Sequence, residues 1–268
     1  MTLPADASAA DVVSAIDHIA AYRFVAVDDP AALAERLRAS AEAKALRGTV
    51  LVAAEGLNLF LAGVTGAIAG FLAELRADQR FADLVVRATR CASMPFARLK
   101  VKVKAEIIAF RQPDATPLAA RAPAVAPATL ARWIAQGADD AGRRLVLLDT
   151  RNREEIAHGT FDGALVLPID NFVDLPAAVQ AEREALVDAT VVSFCTGGIR
   201  CEKAALWMHA QGLDNVLQLD GGILGYFEVV GGFGYRGGCF VFDERVALDP
   251  ALAPVRAGER AESLPGTH

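Results

Sequence analysis

TVVSFCTGGIRCEKAALWM, residues 190–208, is the stretch on which the reading of this chain turns. A β-branched apolar run ends at Cys195, the loop residues Thr196, Gly197, Gly198, Ile199 and Arg200 follow, and a good helix-forming sequence starts at about Cys201. Strand, loop and helix in that order predict one unit of a parallel α/β sheet. The loop then lies at the carboxyl end of its strand, where open α/β sheets bind ligands. Successive loop amides surround one point, and the positive end of the following helix aims at it. These features, with Arg200 nearby, favour the thiolate of Cys195 and make it the candidate nucleophile. Gly197 and Gly198 permit positive φ and close backbone approach. A phosphatase-type Cys-x5-Arg cradle would need arginine at position 201, where the chain has Cys201. The smaller Cys-x4-Arg ring suits a group attached to sulfur, such as a persulfide, better than a tetrahedral phosphate. The bland alternative, a buried strand-end cysteine, does not account for the Gly-Gly-Arg context.

Working outward, helix 129–136, strand 145–150, short helix 152–157, strand 164–167, helix 176–187, strand 215–219 and a helix start at 221–227 alternate along the chain. This alternation predicts a parallel sheet covered by helices on both faces. Upstream, strands at 22–28, 48–54, 58–62 and 84–90 and helices at 30–45 and 65–78 give the order βαββαβ. That order predicts a ferredoxin-like α+β domain, two helices covering one face of an antiparallel sheet. KVKVKAEIIAF, residues 100–110, reads as the last strand or its approach. Prolines 113, 117, 123 and 127 interrupt any period between the two halves. The expected organisation is a first domain at 17–111, a linker at 112–127, a second domain at 128–248 and a flexible tail at 249–268.

The chain has 268 residues, 53% of them apolar, enough for two cores and too apolar for wholesale disorder. No apolar stretch reaches the length of a membrane span and no secretory signal is evident, so the expected location is the cytoplasm. A net charge of −6 gives no bulk attraction to nucleic acid or anionic lipid, though a local basic patch remains compatible with it. Four cysteines without C-x2-C spacing argue against a disulfide scaffold or a zinc site. No metal cluster and no flavin or nicotinamide motif is apparent.

Several residues have two readings. Asp149 and Arg151, at the end of a predicted strand, either attract an anionic substrate or form a structural hydrogen-bonded frame, and Glu154 or Glu155 could pair with an arginine. Asp220, Gly221 and Gly222 read as a turn and helix start beside the loop. Cys201 either resolves an oxidised Cys195 or packs at the helix start. His158 is a weak candidate for a Cys–His pair with Cys195, and Cys91 and Cys239 read as ordinary thiols. Arg98, Lys100, Lys102 and Lys104 lie in a run without acids, and in a strand the three lysines share one face. That stripe either tracks an RNA backbone or is a solvated, lysine-guarded sheet edge. Phe96 either stacks a base or packs in the core.

CTGGIRCEKAALWM, with LLDTRNREEIAHGTFDGALVLP at 147–168 and LDGGILGYFE at 219–228, resembles a rhodanese domain. Taken with VAAEGLNLFLAG at 52–63, RLKVKVKAEII at 98–108 and CFVFDERVAL at 239–248, the chain resembles the rhodanese-containing oxygen-dependent tRNA uridine hydroxylases. The resemblance implies a ferredoxin-like (acylphosphatase-like) domain before a rhodanese-like domain. It also implies hydroxylation of the wobble uridine with molecular oxygen as co-substrate, the anticodon arm of tRNA as partner, and Cys195 as the essential cysteine. Related rhodaneses transfer sulfur from thiosulfate through a persulfide, so a sulfurtransferase with a small-molecule sulfur donor is the alternative, and a non-catalytic binding module a third. The chain departs from the family in reading AEGLNLF where AEGINGT is common, and in having no cysteine-rich tail after Cys239. Both regions are expected RNA contacts.

Overall fold

The computed structural model describes residues 16–113 and 115–255. The first unit contains β1 (Ile16–Phe24), α1 (Pro30–Ala43), β2 (Arg47–Ala53), β3 (Gly56–Val64), α2 (Thr65–Arg76), β4 (Arg87–Cys91) and β5 (Leu99–Val103). β1 ends at Phe24, four residues before the expected end of the strand, and α1 starts at Pro30 as expected. The Asp29 carboxylate accepts from the Ala32 amide at 3.0 Å, and Pro30 occupies the first helical turn. The sheet order is β4-β1-β3-β2-β5. Its first four strands are antiparallel as expected, but β5 runs parallel to β2, so the sheet is mixed. Residues 99–103 therefore do not prolong β4; they form a strand on the opposite edge. Alternation along KVKVK marks a strand without naming its partner, and Pro95 interrupts any continuous run from β4.

One face of this sheet carries Ile19, Ala21, Val50, Val52, Leu57, Leu59, Leu61 and Val101 against Leu33 and Leu37 of α1 and Ile68, Phe71 and Leu75 of α2. The other face has no helix of its own. Its rows run Ala20, Phe60, Thr49, Lys100 and then Tyr22, Asn58, Leu51, Lys102 across paired strands.

The second unit contains β6 (Ala124–Val125), α3 (Pro127–Gln136), β7 (Leu145–Asp149), α4 (Arg153–Ile156), β8 (Gly159–Phe161), β9 (Leu165–Val166), α5 (Leu175–Ala181), α6 (Arg183–Val187), β10 (Thr190–Phe194), α7 (Ile199–Ala210), β11 (Val216–Leu219) and α8 (Gly222–Val230). Short strands β12 (Tyr235–Gly237), β13 (Cys239–Phe240) and β14 (Ala247–Leu248) follow. The sheet is parallel, in the order β6-β11-β10-β7-β9. Leu148 and Val191 pack toward Leu175, Ala204 and Met208 on one face. Leu147, Val192 and Phe194 pack toward Leu130, Ile223 and Tyr226 on the other. This two-sided burial explains the continuous apolar run of β10. The proline-rich stretch is fastened to this unit, since Ala115 and Ala122 are buried in its core together with Phe110. Asp249 accepts from the amides of Ala251 and Ala253, and the Val255 amide donates to Ala247, so the first part of the expected tail is held. Residues 256–268 lie outside the described residues.

The two units meet along α7. Lys203, almost fully buried, donates to Glu55 at 2.8 Å, Glu106 at 2.6 Å and the Ile108 carbonyl at 3.3 Å. Glu55 also accepts from the Ile107 amide at 2.8 Å, and Asn58 donates to the Ile107 carbonyl at 3.2 Å. Glu55 and Asn58 of the AEGLN turn are thus buried at the joint between the units. Lys203→Met would leave two carboxylates without their cation, so urea unfolding should show a loss of about 3 kcal/mol.

Candidate active site

α7 begins at Ile199, two residues before the expected start, so Ile199, Arg200 and Cys201 form its first turn directly behind Cys195. The Cys195 sulfur accepts from the Gly198 amide at 3.2 Å. Gly198 caps the helix at φ 99°, a conformation that L side chains rarely adopt. α8 holds the other side of the loop: the Ile223 amide donates to the Cys195 carbonyl at 2.9 Å and the Leu224 amide to the Thr196 carbonyl at 3.1 Å. Gly222 makes this approach possible, because a Cβ there would stand 2.5 Å from the Cys195 carbonyl oxygen. Asp220, Gly221 and Gly222 accordingly form the expected helix start beside the loop.

Burial alone would raise the Cys195 thiol. Donation from Cys201, the Arg200 charge and the amides of Arg200 and Gly198 outweigh it and bring the pKa down to about 6. For Cys201, burial and the neighbouring Cys195 sulfur act together and push its thiol well up. Its sulfur also lies 3.7 Å from the Thr150 hydroxyl. The pair therefore divides into one thiolate and one thiol that donates to it. Cys239 is buried behind Thr196, and burial pushes it up to about 12.

The Arg200 guanidinium does not point into the loop as a phosphate ligand. It lies against Glu155 with two contacts of 2.6 Å. Glu155 is itself placed by a capping box with Asn152, whose side chain accepts from the Glu155 amide at 3.0 Å. Asp149 and Arg151 form the structural frame. Arg151 is fully buried, its Nη2 donates to Asp149 at 2.7 Å and to the Gly159 carbonyl at 2.7 Å, and it does not line the cavity below. His158 packs on Phe240 with ring centroids 5.2 Å apart and is not among the cavity residues, so no Cys–His pair is assembled there.

Cys195, Thr196 and Ile199 form part of the wall of a cavity of about 650 Å³ that the first unit closes with Tyr22 and Phe60, and the segment after β13 with Phe242. Phe96 lines it too, its ring 5.6 Å from that of His18. Burial, then the Arg245 charge, lowers His18 to about 4, which leaves it neutral near pH 7. The Tyr22 hydroxyl donates to Glu202 at 3.3 Å, and Glu202 also pairs with Arg121. Arg98, Lys100, Lys102 and Lys104 are exposed and lie outside the cavity lining, the lysines along and just past β5. Sequence reasoning missed Tyr22, Asn58, Glu202, Lys203 and Phe242. Glu55 and Asn58 stand in the AEGLN stretch and Phe242 in CFVFDERV, so family-like motifs were the available signal. Among the described residues, no group of three or more His, Cys, Asp or Glu is placed to hold a metal ion.

Residues 16–107 match the UPF0176 acylphosphatase like domain and residues 127–228 the rhodanese-like domain. A protein of Xanthomonas euvesicatoria pv. vesicatoria (strain 85-10) named tRNA uridine(34) hydroxylase is 64% identical over 91% of this chain and 99% of its own length. A protein of the same name from Xylella fastidiosa (strain M23) is 60% identical over 90% of this chain and 93% of its own. The chain belongs to the tRNA uridine(34) hydroxylase family. Among solved structures, the rhodanese-like domain of an Anabaena sp protein is 17% identical, with a TM-score of 0.36 over 55% of this chain and 95% of that one. In this family member the α/β rhodanese domain supplies the reactive loop and the acylphosphatase-like domain the opposite wall of the cavity.

Thiolate absorbance of the folded protein should titrate near pH 6 and vanish from that range in Cys195→Ser. Cys201→Ala removes the thiol that donates to Cys195 and should move the titration upward, whereas Cys201→Ser, which still donates, should leave it close to the wild-type position.

Proposed function

We propose that this protein hydroxylates the uridine at tRNA position 34 to 5-hydroxyuridine, acting on the anticodon arm in the cytoplasm with molecular oxygen as oxidant. The observation that carries the reading is a low-pKa thiolate in the wall of a cavity of about 650 Å³, within the size range of small-molecule sites. It occurs in a chain whose 60–65% identical relatives bear that activity in their names. No helix among the described residues is long and apolar enough to cross a membrane.

The chemistry follows from the thiolate. Addition of the Cys195 sulfur to C6 of the uracil ring makes C5 electron-rich, and C5 is the carbon that receives oxygen. Dioxygen provides that atom, a two-electron reductant from the cell completes the stoichiometry, and the second oxygen leaves as water. Loss of the C5 proton and of the sulfur restores the ring double bond and frees Cys195. Gly198 and Arg200 amides stabilise the sulfur anion at both ends of this cycle. The Glu155–Arg200 pair and the α8 amides keep the loop from shifting while the carbon–sulfur bond forms.

The test is a gene deletion in the host, with total tRNA digested to nucleosides and measured by mass spectrometry. 5-Hydroxyuridine and its derivatives should disappear, return with the wild-type gene, and stay absent with Cys195→Ser. An unchanged profile together with Cys195-dependent turnover of thiosulfate would instead assign the chain to sulfur transfer. In vitro, the wild-type rate should rise as pH passes about 6, where the thiolate forms.

A further inference from the structure

Aromatic side chains stand in the middle of the helix-free face of the first sheet, and unpaired cations stand at its far edge. Phe60 and Lys100 share one row, separated by Thr49, while Tyr22 and Lys102 share the next, separated by Asn58 and Leu51. With strands roughly 4.8 Å apart, the two members of the first row are about 10 Å apart along the face and those of the second about 14 Å. Phe60 is half-buried and lines the cavity. Phe242 lines it as well, contributed by the second unit, and is 57% exposed with its ring edge-on to Phe240 at 5.0 Å.

The charges divide in the same way. The arginines at the cavity are each matched by an acid: Arg23 by Asp83, Arg87 by Glu228, Arg121 by Glu202, Arg200 by Glu155 and Arg245 by Asp243. Arg98, Lys100, Lys102 and Lys104 are exposed and pair with no carboxylate among the described residues. An acidic chain thus keeps a line of uncompensated positive charge beside the aromatic lining of the cavity. Single-stranded nucleic acid matches both features, since each base offers a π face and each link a phosphate. A βαββαβ sheet whose open face carries aromatics on its two central strands is also the arrangement by which RNA-recognition domains stack bases. Here β1 and β3 are adjacent interior strands, and they carry Tyr22 and Phe60. A regular duplex keeps its base faces stacked on one another and does not offer them to such a surface.

We propose that the helix-free face and Phe242 form a platform for the unpaired nucleotides flanking the target uridine. Phe242 and Phe60 stack on neighbouring bases, and Lys100 and Lys102 hold phosphates of the strand as it leaves the cavity. The proposal rests on the tRNA reading above and adds the contacts on either side of the reacting base.

The experiment measures binding of an anticodon stem-loop hairpin to the full chain in a Cys195→Ser background, which prevents turnover. Phe242→Leu and Phe60→Leu should each weaken binding roughly ten-fold, while Phe242→Trp, which keeps a stacking ring, should bind as the parent does. Lys100→Gln with Lys102→Gln should reduce the slope of log affinity against log salt by about 1.4. Circular dichroism checks that each variant is folded, and the exposure of Phe242 makes its variants the decisive ones. Parent-like affinity in Phe242→Leu and Phe60→Leu, or an unchanged salt slope, would overturn the platform. If the wild-type chain hydroxylates tRNA while these variants bind normally, the platform alone fails. A chain that neither binds the hairpin nor alters tRNA nucleosides takes the tRNA reading down with it.

Discussion

A sulfur atom that carries negative charge while almost sealed from water must be satisfied by protein dipoles, and the architecture around Cys195 follows from that requirement. Desolvation alone would keep Cys195 protonated. Its anion persists because the Gly198 and Arg200 amides, the Cys201 thiol and the Arg200 charge converge on it. Each donor imposes a condition on the chain. The amides require a positive-φ glycine at the start of α7, and the close approach of α8 requires Gly222. The Arg200 charge must be present without collapsing onto the sulfur, and Glu155 meets that condition by holding both of its terminal nitrogens.

The same helix couples chemistry to domain arrangement. The first turn of α7 faces Cys195, and the next two residues, Glu202 and Lys203, reach the first unit through Tyr22, Glu55 and Glu106. A movement of one unit against the other would therefore pull on the turn that stabilises the thiolate. The cavity has the same dual origin, with the reactive sulfur from one unit and the opposing aromatic wall from the other. Neither unit forms the cavity by itself, which gives a physical reason for joining them in one chain.

Much of this was legible along the chain. The strand, Gly-Gly turn and helix at 190–208 are contiguous, so local propensity and loop chemistry sufficed to place Cys195 at a strand end beside loop amides and to make it the candidate nucleophile. The parallel sheet followed from alternation of apolar runs and helical segments. The βαββαβ order was readable too, but the parallel pairing of β5 with β2 was not, because a period of two specifies a strand and its faces and leaves the neighbour open. The small pairs β8 with β12 and β13 with β14 were missed for a related reason, since strands of two or three residues leave almost no periodic signal.

The thiol at Cys195, the loop that presents it and the class of both folds depend on neighbours within a few residues, and so could be read along the chain. Tertiary structure decided which distant side chains complete the site. Arg200 is matched by Glu155, 45 positions away, and Lys203 by Glu55, 148 positions away. Such pairings are selected by burial, which makes an unmatched charge costly, and burial is a property of the folded chain. The presence of Phe242 and Phe60 in the wall of one cavity is likewise set by how the two units pack.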